Sequence, residues 1–164
     1  MISTTSEYAL RALAHLARMP EDSAVLGRDL ARATDVPANY LSKILLALRN
    51  AGLLATARGS GGGYRLCKSP DEIYLMEIVE LFEGSKNKPV CFLSRGKPCG
   101  DTEACTAHKS WRELSMAYRG FLLSTNISMI SGANGSGRPK TYGGVDMGRE
   151  GATTALAALA ALAH

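Results

Sequence analysis

Cys91, Cys99, Cys105 and His108 stand in the order C-x7-C-x5-C-x2-H. Thiolate and imidazole are soft to borderline donors that suit zinc or the iron of a cluster. The last two are three residues apart, a separation that puts both side chains on one helical face. Structural zinc sites favour at least one pair of cysteines two to four residues apart, and this set has none. Wider spacing suits an iron–sulfur cluster, whose bridging sulfides spread the points of attachment. A cluster-free use of the same donors, as a zinc site or a thiol redox switch, is the alternative. Unrelated thiols sharing a loop are the plainest reading, and a histidine in helical register with Cys105 argues against it. The fourth cysteine, Cys67, reads as a small apolar side chain filling a core.

These donors need elements to hold them. Residues 85–101 are rich in Gly, Pro and Lys and read as a loop carrying Cys91 and Cys99. A long helix is predicted from about Thr102 to Ser124, about 35 Å at 1.5 Å per residue. Its Ala107, Trp111, Leu114, Tyr118 and Phe121 are spaced four, three, four, three, which is a heptad seam. A helix so long exceeds what a small domain uses for itself, so the seam is expected to meet a second copy of the chain.

Upstream, Thr4 with Glu7 reads as a capping box opening a helix with Tyr8, Ala9, Ala12, Leu13, Leu16 and Ala17 at helical spacing. A second helix puts Leu26, Leu30 and Ala33 on one face. After Pro37 a third packs Leu41, Ile44, Leu45 and Leu48 inward, and Gly52 suits the left-handed position beyond its end. Leu53–Arg58 and Tyr64–Cys67 read as two strands around a glycine-rich tip. That tip lacks the Gly-Lys-Ser/Thr ending of a phosphate-binding loop and leads into a strand, so a nucleotide site is excluded. Ser69-Pro70-Asp71-Glu72 signals one more helix, with Leu75, Ile78, Val79 and Phe82 inside and Gly84 at its end.

The fold class expected is therefore mainly α: a winged helix-turn-helix with a small β-hairpin wing, plus a long dimerisation helix. Residues 1–84 form the DNA-binding domain, 85–131 the cluster-binding loop and dimerisation helix, and 132–164 a low-complexity tail read as disordered. The net charge of +4 is uneven: residues 1–68 carry nine Lys/Arg against five Asp/Glu. Excess positive charge on the first segment is what a partner of polyanionic DNA needs. No apolar run is long enough to cross a bilayer, and Met1–Glu7 shows no basic stretch followed by an apolar block. A cytoplasmic location is expected.

The whole order resembles the IscR-like winged-helix regulators, bacterial repressors and activators that carry an iron–sulfur cluster. The resemblance spans roughly residues 1–131. It rests on Tyr8-Ala9-Leu10-Arg11-Ala12-Leu13, on Tyr40-Leu41 with Leu48-Arg49-Asn50-Ala51-Gly52-Leu53, and on the wing Arg58-Gly59-Ser60-Gly61-Gly62-Gly63-Tyr64. It continues in the cysteine loop and in Cys105-Thr106-Ala107-His108-Lys109-Ser110-Trp111-Arg112. The resemblance implies a 2Fe–2S cluster held by Cys91, Cys99, Cys105 and His108. Seven residues between the first two cysteines, where close relatives have five, match members that bind a 4Fe–4S cluster. In some of those the fourth ligand is a carboxylate near the start of the first helix, where Glu7 stands as the alternative to His108.

Operator DNA is the implied partner. The outward side chains of the third helix, Asn39, Tyr40, Ser42 and Lys43, would face the major groove, with Lys43 on phosphate. Arg58 would enter the minor groove from the wing, where Gly61 and Tyr64 complete the set. A homodimer would read a two-fold site, with the cluster ordering residues 85–104 and setting the spacing of the two reading helices. Iron, cluster status, redox state or nitric oxide would be the signal, and iron–sulfur assembly proteins a further partner. A member acting by binding a metabolic enzyme is the other alternative. The chain carries no oxyanion-hole motif or cofactor fingerprint, so no enzyme is expected.

Overall fold

The computed structural model describes residues 2–20, 23–57, 59, 62–84, 91 and 105–132. They divide into two compact units, one holding the winged helix, the other Cys91 and a long helix. In the first unit, α1 (Thr4–Leu16) is surrounded by α2 (Gly27–Thr34), α3 (Ala38–Asn50), α4 (Leu75–Glu83) and α6 (Ile127–Ser131). The second unit contains α5 (His108–Ser124).

The centrality of α1 follows from its small residues. Ser6, Ala9 and Ala12 are wholly buried, so neighbouring helices approach its backbone closely. Leu13 and Leu16 fill the gaps beyond them. Its cap differs from the sequence expectation: Ser3, not Thr4, is the N-cap, and its Oγ accepts from the Ser6 N–H at 3.2 Å. Glu7 makes no capping box, because its carboxylate pairs instead with Arg11 one turn on. The same end of α1 is closed from far along the chain. Glu83, the last residue of α4, accepts from the Ser3 N–H and from Ser6 Oγ, both at 2.7 Å. Partial burial raises the affinity of that carboxyl for its proton, but the hydrogen bonds from Ser3 and Ser6 outweigh it and hold the pKa below the ordinary value.

The helix-turn-helix is made by three residues. Asp35 takes the left-handed conformation at φ 53°, ending α2, an excursion that a short polar side chain tolerates better than most. Val36 is buried as a plug, and Pro37 then caps α3. Leu41, Ile44, Leu45 and Leu48 of α3 all face the core as expected; such burial is worth about 1.5–3 kcal/mol per side chain. On α2 the expected face shifts. Leu30 and Ala31 are buried, whereas Leu26 and Ala33 are exposed.

Gly52 adopts φ 74° just beyond α3, and the chain turns into β1 (Leu54–Ala57). It returns as β2 (Gly63–Leu66), with Leu54 opposite Leu66 and Ala57 opposite Gly63 in antiparallel register. A third segment joins the hairpin: Val25 and Tyr64 exchange two backbone hydrogen bonds of 3.0 and 2.8 Å. Gly63 permits that approach, because a Cβ there would lie 2.4 Å from the Val25 carbonyl. β2 ends at Leu66, which leaves Cys67 exposed, not buried in a core as its apolar character suggested.

Pro70–Glu72 forms a 3-10 turn, and α4 begins only at Leu75. Leu75, Met76, Ile78 and Val79 are buried, and Gly84 closes the helix at φ 76°. Residues 125–131, assigned from sequence to the segment with the dimerisation helix, belong instead to the winged-helix unit. Ile73 O accepts from Ile127 N–H, Thr125 O accepts from Leu75 N–H, and Asn126 caps α6 through Met129 N–H. Ile127 is wholly buried.

Candidate nucleic-acid interface and thiol–imidazole cluster

Burying Leu41, Ile44, Leu45 and Leu48 dictates what α3 shows to solvent. Asn39, Tyr40, Ser42 and Lys43 are all exposed, as the sequence predicted. Helical spacing continues the outward face through Leu46 and Asn50, with Arg49 at its edge; these three are exposed too and were not singled out from sequence. α3 contains no acidic residue, so the face meets phosphate without a repelling charge. Asn39 Oδ1 accepts from the Tyr40 N–H at 2.9 Å, and Ser42 Oγ donates to Asn39 O at 2.9 Å. Lys43 pairs with no carboxylate among the described residues. On α2, Arg28 and Arg32 are exposed, on the helix that in this motif crosses the DNA backbone.

In the wing, Tyr64 is pinned through its backbone to Val25, and its ring lies beside the start of α2, 3.5 Å from where a Cβ at Gly27 would sit. It therefore anchors the hairpin to the helix-turn-helix. Arg58 and Gly61 lie outside the described residues.

The predicted start of α5 is corrected. The helix begins at His108, so its 17 residues span about 25 Å, not 35 Å. Cys105 precedes it by one turn, and the His108 N–H donates to Cys105 O at 3.0 Å. The helical relationship between this thiol and imidazole is thus realised as a turn leading into α5. His108 is 8% exposed and Cys91 is 5% exposed, whereas Cys105 is open to solvent. Cys99 lies outside the described residues, and among those described no three potential ligands are gathered. Two inward-facing donors and one accessible thiol, in one unit, fit the chemistry of a cluster site. Glu7, the alternative ligand, sits about half exposed and is held by Arg11.

Along α5 the expected seam is open. Leu114 and Phe121 are 53% and 51% exposed, and Trp111 and Tyr118 are half-buried. Met116, beside them, is 68% exposed, and only His108 and Leu122 of this helix are buried. Among the described residues no helix is long and apolar enough to cross a membrane.

Comparison with known proteins places this geometry. A family described as "Rrf2: Iron-dependent Transcriptional regulator" matches residues 2–132. The HTH-type transcriptional regulator IscR of Aliivibrio salmonicida is 31% identical over 121 residues, covering 74% of this chain and 71% of that one. The HTH-type transcriptional regulator NsrR of Geobacillus kaustophilus is 32% identical over 117 residues, covering 71% and 80%. Among solved structures, CymR (YrzC), the global cysteine regulator of B. subtilis, aligns with a TM-score of 0.66 at 28% identity. That alignment covers 80% of this chain and 96% of CymR.

Proposed function

The chain belongs to the Rrf2 family of transcriptional regulators, which are not enzymes, and from that premise we propose that it is an operator-binding homodimer whose DNA affinity is set by an iron–sulfur cluster. The observation that carries the first half is the exposed, acid-free face of α3 beside a hairpin bound to the same unit. Asn39, Tyr40 and Ser42 read base edges, Lys43 neutralises phosphate, and Arg58 with Gly61 extends the contact from the wing. The open seam of α5 is covered by the same seam of a second copy, which gives a two-fold reader of half-sites about one helical turn apart. The regulator works in the cytoplasm.

Cys91, Cys99, Cys105 and His108 would hold the cluster, 2Fe–2S by the histidine ligand; the long first spacing and Glu7 leave 4Fe–4S as the alternative. When bound, the group supplies a redox-active and nitric-oxide-reactive centre. What the chain does is mechanical. Two of its donors lie between Gly84 and Cys105, so ligation ties the connector that follows α4 to the start of α5. A change of ligation would loosen that tie, and a difference of about 1.4 kcal/mol between the two states would alter operator affinity tenfold.

Anaerobic isolation tests this. Iron and acid-labile sulfide should be present in matching amounts, and operator affinity should differ with and without the cluster. A colourless protein free of sulfide, or equal affinities in both states, refutes the switch. The second reading is a cluster-free thiol or zinc regulator, in keeping with the similarity to CymR, a cysteine regulator; sulfide-free protein with normal DNA binding would support it, and would argue against a member that acts through an enzyme partner.

A further inference from the structure

Tyr8 belongs to α1, which contributes no residue to the DNA face just described, yet its ring reaches that face. The Tyr8 and Tyr40 ring centroids are 6.0 Å apart, with planes at 83°. This is the T-shaped geometry in which the edge of one ring meets the negative face of another. The Arg11 guanidinium stands over the Tyr8 ring, 5.8 Å from its centroid, within reach of a cation–π attraction. Arg11 is itself anchored by Glu7 one turn back. Tyr40, in the first turn of α3, is 48% exposed. A tyrosine so exposed would ordinarily sample several rotamers; here a ring from another helix restricts it.

We propose that Tyr8 is a positioning residue for DNA recognition. It holds the Tyr40 ring in the orientation in which α3 meets the duplex, with Arg11 and Glu7 bracing Tyr8 in turn. The benefit is preorganisation: a rigid aromatic loses little freedom on binding, so more of its contact appears as affinity. The proposal rests on α3 being the reading helix, and its test separates the two ideas.

A duplex selected from a random pool by the wild-type protein serves as the specific probe, and an unrelated duplex as the control. Tyr8→Ala, and Tyr8→Leu to preserve apolar bulk, are expected to weaken binding to the selected duplex about two- to tenfold, the range an aromatic pair supplies. Binding to the unrelated duplex should not change, and Tyr8→Phe should behave as wild type. Tyr8→Ala combined with Tyr40→Ala should bind no worse than Tyr40→Ala alone. In DNA-free protein labelled with 3-fluorotyrosine, the Tyr40 fluorine resonance, assigned with Tyr40→Phe, should move in Tyr8→Leu. An unmoved resonance or additive losses overturn the positioning role even if α3 reads DNA. Normal binding by Tyr40→Ala overturns DNA reading at this position, and the positioning role with it.

Discussion

Gly63→Ala probes the joint between wing and helix-turn-helix. Gly63 adopts φ 149°, and a Cβ there would lie 2.4 Å from both the carbonyl carbon and oxygen of Val25 and 2.9 Å from Leu26 N. Those are backbone atoms, so no rotamer change relieves the overlap. The Val25 segment must move away, giving up the 3.0 and 2.8 Å hydrogen bonds with Tyr64. Two such bonds are worth about 1–3 kcal/mol together, and residual backbone strain adds about 1 kcal/mol or more. A loss of about 2–4 kcal/mol is expected. Gly52→Ala is the control: φ is 74°, but nothing lies within 4 Å of its Cβ position, so only the left-handed penalty of about 1–2 kcal/mol applies. Urea unfolding followed by circular dichroism, with both variants compared at equal m-value, reads the difference. If Gly63→Ala loses no more than Gly52→Ala, the wing is not fastened through Val25 and the reasoning fails.

Three further expectations follow from the same geometry. The lowered pKa of Glu83 means that its stabilisation is fully present above the ordinary carboxylate value and is lost as pH falls through the lower folded value; Glu83→Gln should therefore be less stable at neutral pH and lose less on acidification, and parallel pH–stability curves would refute this. Lys43→Ala should weaken binding to all duplexes alike and reduce the salt slope by about one, because a phosphate contact carries no sequence information; a loss confined to one sequence would assign Lys43 to base reading. Leu114→Glu places a charge on the open seam of α5 and should convert a dimer to a monomer in sedimentation while leaving the helical circular dichroism unchanged; an undisturbed dimer would locate the interface elsewhere.

The parts of the fold visible in the sequence were those fixed by local periodicity or by one special backbone position. Leu41, Ile44, Leu45 and Leu48 share a helical face whatever surrounds them, and Gly52 and Gly84 stand with positive φ at helix ends. Local signals misled where tertiary contacts decide. Thr4 and Glu7 have the capping-box spacing, but Arg11 captures Glu7 and Ser3 takes the cap. Cys67 has an apolar character, but the strand stops one residue too soon to bury it. α6 has five residues, too few for a periodic pattern, although Asn126 was a usable start signal. The spacing of Cys105 and His108 suggested one helical face, but α5 begins only at His108 and leaves Cys105 in the turn before it; the meeting of Tyr8 with Tyr40 joins residues on two helices, and no short-range pattern announces it.

The place of Ile127 has a consequence for biosynthesis. The side chain completes the core around α1, and Arg18 Nε donates to Ser131 O at 2.7 Å to seal it, yet Ile127 and Ser131 are translated after all of α5. A nascent chain emerging from the ribosome therefore cannot finish its DNA-reading half until the helix bearing the pairing seam has already been made. Completion of the reading head is in this way timed by chain order to follow synthesis of the helix with the open seam, and a message truncated before Thr125 should yield that helix without a finished reading head.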